Sequence, residues 1–111
     1  MENEKRQRRS ERFEHKLPVK VTIFREGRRS TITGEGCDFS KGGMRLFLTL
    51  GLDAGAPLLL EFVLPYTSTP IVVRGVVRNQ NEFHYGIEFL GVSPYQQEML
   101  ERNCTVLNLL S

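Results

Sequence analysis

From residue 17 onward the chain alternates apolar and polar side chains with a period of two. In 17–26, LPVKVTIFRE, the apolar Leu17, Val19, Val21 and Ile23 share one face, as expected of a half-buried strand. Pro18 suits a strand start. Gly27 with Arg28 and Arg29 predicts a turn, and 30–37 a second strand, in which Gly34 and Gly36 suggest a bulge or a close backbone approach. After the segment DFSKGG, residues 44–50, MRLFLTL, alternate again. Residues 51–57 predict a loop, 58–64 a strand closed by Pro65, 66–70 a polar loop and 71–78 a fifth strand. A turn at 79–82 and a last strand at 83–90 follow. Six strands at intervals of about ten residues predict an antiparallel sandwich or barrel. The period then changes. Ser93 suits an N-cap, Pro94 a first helical position and Gln97 lies near the capping-box place. Met99, Leu100, Val106 and Leu107 form a partly helical apolar stripe. A helix over about 94–108 should close one end of the barrel.

The first twelve residues differ from the rest. MENEKRQRRSER is almost devoid of apolar side chains, so residues 1–12 should form a mobile basic arm ahead of a domain over 13–111. Residues 1–16 hold six Lys/Arg against four Glu, and 17–111 hold nine against nine, so the whole net charge of +2 sits at the start. That is too narrow a basic face for nonspecific DNA binding, and nucleic acid is not the expected partner. The segment lacks the apolar core of a signal peptide, and no run approaches a membrane span. Cys37 and Cys104 form neither a metal-ligand spacing nor a disulfide framework, which points to reduced thiols and a cytoplasmic protein. His15 and His84 lack ligand-type neighbours. Without a Ser-His-Asp order, a metal cluster or paired carboxylates, the expectation is a non-enzyme with no catalytic residues, metal or cofactor.

Two short strings carry the candidate chemistry. RRSER places Arg8 and Arg12 four apart with Arg9 between them, and DFSKGG places Asp38, Ser40 and Gly43 on a Gly-rich turn. Arginine forks match phosphate oxygens and the O6/N7 edge of guanine. A carboxylate and a hydroxyl offer acceptors and a small donor to a base edge. Either string alone is weak, because Asp and Ser in such a turn can simply bond their own backbone. Together they suggest a pocket for a charged purine nucleotide. Lys41 could add attraction for phosphate.

RRSERF, CDFSKGGMRL and YGIEFLGVSP, in this order and spacing, resemble the PilZ domain family, bacterial modules that bind cyclic di-GMP. The resemblance runs from about Arg8 to the C-terminal helix. It implies a six-stranded antiparallel, split-barrel-like β-barrel with a C-terminal α-helix. It further implies that Arg8 and Arg12 hold guanine edges and phosphates, that Asp38 and Ser40 hydrogen-bond a guanine, and that Gly43 shapes the turn. Some members stack a guanine on tryptophan. This chain has none, and Arg78, placed after the fifth strand, could offer a guanidinium plane instead. Arg9 is a possible third contact. The implied function is a second-messenger receptor that relays its signal to a separate, unidentified protein in motility, pili, polysaccharide or virulence control. The alternative is a small basic-armed barrel binding RNA or a protein. The Phe and Tyr residues, read as mostly alternating core positions, argue against RNA stacking.

Overall fold

The computed structural model describes residues 16–65 and 67–110, with side chains up to Cys104. The expected arm over 1–12, with Arg8, Arg9 and Arg12, lies outside the described residues. So do Phe13, His15, Tyr66 and the side chains of Val106 and Leu107.

Six antiparallel strands close into a barrel, β1 (Leu17–Arg25), β2 (Arg28–Cys37), β3 (Gly43–Phe47), β4 (Pro57–Phe62), β5 (Ile71–Asn81) and β6 (His84–Leu90), followed by α1 (Pro94–Leu110). Around the barrel the order is β1-β2-β3-β6-β5-β4. Closure removes the exposed edges that an open sheet would present. The period-two pattern fills the interior: Val19, Val21 and Ile23 from β1 meet Leu58 and Leu60 from β4, Val73 and Val77 from β5, and Tyr85, Ile87 and Phe89 from β6. Tyr85 is fully buried, yet its hydroxyl is satisfied. It donates to the Leu50 carbonyl at 2.9 Å and accepts from the Leu52 amide at 3.0 Å, pinning the loop after β3 to the core.

Several boundaries differ from the sequence expectation. The first hairpin turns on Glu26 and Gly27 alone, with φ of 51° and 75°, so Arg28 and Arg29 already belong to β2. Two consecutive left-handed residues match a tight hairpin to the twist of its strands. The β1–β2 register is unbroken through Gly34 and Gly36, so no bulge lies there. Close approach is the reason for both glycines. A Cβ on Gly36 would stand 2.8 Å from both Phe39 Cζ and Val19 Cγ2, and one on Gly34 would stand 2.8 Å from Leu48 Cδ1. β3 stops at Phe47, while β5 runs on to Asn81. At α1, Ser93 is the cap as expected, but Gln96 is its partner rather than Gln97. Ser93 Oγ accepts from the Gln96 amide at 3.1 Å, and Gln96 Oε1 accepts from the Ser93 amide at 3.2 Å. Gln96 also donates to the Val72 carbonyl, tying the start of the helix to β5. Leu100 and Cys104 bury against the barrel.

Candidate ligand site

The Asp38–Gly43 segment is fixed from beneath. Phe39 is fully buried, its ring 5.1 Å from that of Phe62, and its carbonyl accepts from Cys104 Sγ at 3.4 Å on α1. Anchoring Phe39 inward leaves Asp38 and Ser40, on either side of it, on the outer wall. Asp38 adopts φ 58°, a left-handed conformation that Asp tolerates better than most side chains. The Ser40 amide donates to the Gly43 carbonyl at 2.9 Å, and Ser40 Oγ accepts from the Gly42 amide at 3.2 Å. The Phe89 amide donates to the Gly42 carbonyl at 2.9 Å, stitching the turn to β6. Gly43 stands opposite Glu88 where the turn enters β3. A Cβ there would lie 2.1 Å from the Ile87 carbonyl oxygen, so only glycine fits.

Beside this turn lies an open groove of about 560 Å³. Asp38, Ser40, Gly43 and Glu88 line one end, Arg45, Arg78 and Asn79 come next along β6, and Asn81 and His84 line the other end. The β5 rim exists because the β5–β6 register shifts between Val77 and Asn79, leaving Arg78 as an extra residue. Arg78 therefore sits at a bulge inside β5, not beyond the strand as expected, and its guanidinium pairs with Glu88 at 2.5 Å. Arg45 lies 3.5 Å from the Asp38 carboxylate. The described groove thus holds two arginines matched by two carboxylates.

Four candidate residues, Asp38, Ser40, Gly43 and Arg78, meet in this groove. Lys41 does not join them, because it pairs with Glu101 of α1 at 2.9 Å. Arg45, Glu88, Asn79 and Asn81 are absent from the sequence expectation, and His84 enters it only as a histidine without ligand-type neighbours. For Arg45 the signal was present: Met44 and Leu46 face the core, so Arg45 must face outward beside the Asp-Ser-Gly turn. Burial first, and then the neighbouring Asp38 carboxylate, pushes the Cys37 thiol up, against the opposing pull of Arg45 and Lys16. Both effects disfavour the thiolate a nucleophile needs. Among the described residues no group of three or more His, Cys, Asp or Glu could hold a metal. The aromatic expectation needs correction: Phe39, Phe62, Tyr85 and Phe89 are buried, but Phe24, Phe47, Phe83 and Tyr95 are exposed. Phe24 and Phe47 occupy outward strand positions, and Phe83 the β5–β6 turn.

A small closed β-barrel whose glycine-bearing turn borders a polar groove defines a ligand-binding module. The PilZ domain profile matches residues 6–105, and the chain belongs to this family, which binds cyclic di-GMP. PilZ domains are typically non-catalytic receptors for that nucleotide. Among solved structures, the PilZ domain of CeSA from a cellulose-synthesizing bacterium is 19% identical with a TM-score of 0.65, over 89% of this chain and 99% of that one. The inhibitor of motility MotI/DgrA of Bacillus subtilis is 23% identical with a TM-score of 0.79. That likeness covers 95% of this chain but 53% of the Bacillus protein, so the chain spans about half its length. The PilZ domain of YcgR from Escherichia coli, solved with cyclic di-GMP, is 19% identical with a TM-score of 0.68, over 94% and 93% of the two chains. These likenesses establish the six-stranded barrel with its C-terminal helix. No curated protein sequence matches the chain closely enough to serve as a relative. No helix among the described residues is long and apolar enough to cross a membrane.

Proposed function

We propose that this chain is a cytoplasmic receptor for cyclic di-GMP that binds the nucleotide unaltered and passes the signal to a separate protein. The observation that carries the reading is the groove in which Asp38, Ser40 and Gly43 meet. Asp38 can accept from the N1–H and N2–H groups of a guanine, and Ser40 offers a small donor and acceptor beside it. Gly43 shapes the turn by closing it tightly against β6, which holds Asp38 and Ser40 at the groove. Because Arg45 and Arg78 are each matched by a carboxylate, the described groove offers little net attraction to a dianion. Arg8 and Arg12 would supply it, with Arg9 as a third contact, by closing over the groove from the N-terminal side and gripping phosphates or O6/N7 edges. Closure would change the surface around the N-terminus, and that change is the signal a partner reads. Motility, pili, surface polysaccharide and virulence are the outputs that fit such a receptor.

Isothermal titration calorimetry of the full chain tests the reading. Saturable binding at micromolar cyclic di-GMP is expected, with much weaker binding of cyclic di-AMP and GTP. Adenine presents an amino donor where guanine presents O6, so an arginine fork would lose one partner. Absence of saturable heat with cyclic di-GMP would end this reading.

A further inference from the structure

The groove extends well past the Asp-Ser-Gly turn. From Glu88 to His84 along β6 is four residues, a run of roughly 13 Å at the usual strand rise. At its far end the bulge has a specific effect. Without it, alternation would turn Asn79 inward after the outward Arg78. With it, Asn79 pairs with Gly86 and Asn81 with His84, so both carboxamides share the outward side of β6. Gly86 leaves room for this arrangement, since a Cβ there would stand 2.4 Å from Asn79 Oδ1. His84 is exposed and lines the groove, and Phe47 braces it across the β3–β6 pair at 5.1 Å between ring centroids, tilted by 51°. A flat ring held by an aromatic neighbour and flanked by two carboxamides is the equipment of a nucleobase site: a face for stacking and paired donors and acceptors for an edge.

We propose that Asn79, Asn81 and His84 form a second base-binding subsite, which takes the purine that Asp38 and Ser40 do not hold. The proposal rests on the cyclic di-GMP reading and assigns the distal base to particular side chains. It also moves the stacking role away from Arg78, whose guanidinium is engaged by Glu88. His84 supplies the platform, and the Asn79 amide reads the base edge across Gly86.

Calorimetry on full-length variants tests it, with Ser40→Ala as the reference for the first subsite. His84→Ala and Asn79→Ala should each weaken cyclic di-GMP binding, His84→Ala by about tenfold, as loss of a stacking platform does. His84→Phe should retain binding and His84→Lys should not, because a ring rather than a charge is required. All are exposed positions, and unchanged circular dichroism and melting temperature serve as the fold check. The proposal is overturned if wild-type protein binds and Ser40→Ala weakens it while His84→Ala and Asn79→Ala leave affinity unchanged. The receptor reading would then survive alone. It is equally overturned if His84→Lys sustains binding and His84→Phe does not, since the imidazole would then act as a charge. Failure of wild-type protein to bind cyclic di-GMP removes the receptor reading and this subsite together.

Discussion

The β1–β2 and β5–β6 pairs are the two long hairpins of the barrel, and each turns through a residue in the left-handed region. From Leu17↔Gly36 to Arg25↔Arg28 the first runs without a register break. Val19, Val21 and Ile23 enter the core with Leu17 and Ile32 packed against it, and none of its residues lines the groove. The second breaks register after Val77, and from Arg78 to Asn81 every residue is exposed. A regular strand assigns successive side chains to opposite faces, so it can offer the outer wall only every second residue. One extra residue brings Arg78 and Asn79 to the same side and continues the polar row to Asn81. Both pairs fill the core with their inward side chains, and the irregular one adds a polar wall on its outer face.

The most severe way to break this division is to place a side chain where the turn meets β6. Gly43→Ala sets a Cβ against the Ile87 carbonyl, which is backbone and cannot rotate away. The expected loss is about 3 kcal/mol or more, as for forced overpacking, with a melting temperature lower by roughly 10–20 °C. Cyclic di-GMP binding should vanish with it. Differential scanning calorimetry that shows wild-type stability would mean the β3–β6 pair can part at no cost.

Next in size is the N-terminal pair. Arg8→Ala or Arg12→Ala should each remove a charge-assisted bond worth about 1.5–3 kcal/mol, a loss of roughly tenfold to 150-fold in affinity. Melting temperature should stay at the wild-type value, since these residues precede the barrel. A sharp fall in stability of the free protein would instead make the arginines structural.

How much of this was legible in the sequence follows from the same contrast. Alternation in LPVKVTIFRE marked β1 almost to the residue, because a half-buried strand has no other way to separate its faces. The Asp-Ser-Gly turn was legible through residue types with special backbone tolerance. The bulge was not. RNQN reads as turn chemistry, and only pairing with Gly86 and His84 reveals it as strand. Arg78 was therefore picked out but placed at a strand end, and Asn79 and Asn81 were passed over. Glu88 was hidden differently: its pairing with Arg78 crosses strands and has no sequence signature.

A milder substitution in the regular hairpin sharpens the comparison. Gly27 has φ 75° and open space around it, so Gly27→Ala meets no clash and only the left-handed penalty. About 1 kcal/mol of stability should go, lowering the melting temperature by roughly 4–8 °C, while cyclic di-GMP affinity is unchanged. A matching loss of affinity would show that the two hairpins are not independent.

The smallest expected effect bears most directly on the irregular hairpin. Glu88 and Arg78 are both about half exposed, at 49% and 56% of their side-chain surface, so their pairing contributes little to stability. In the groove, however, Glu88 places a carboxylate where the ligand brings two negative charges, and it occupies the guanidinium that could otherwise meet a phosphate. Glu88→Gln keeps the shape and removes the charge. Affinity for cyclic di-GMP should tighten by about twofold to fivefold, the scale of one unit charge acting through water at close range. The gain should shrink as salt is raised, because the groove is open and exposed charges are screened. Titrations at two ionic strengths distinguish this from the opposite role. If Glu88→Gln weakens binding, and Arg78→Ala weakens it equally, then the carboxylate aims Arg78 at the ligand and the bulge serves to hold that pair.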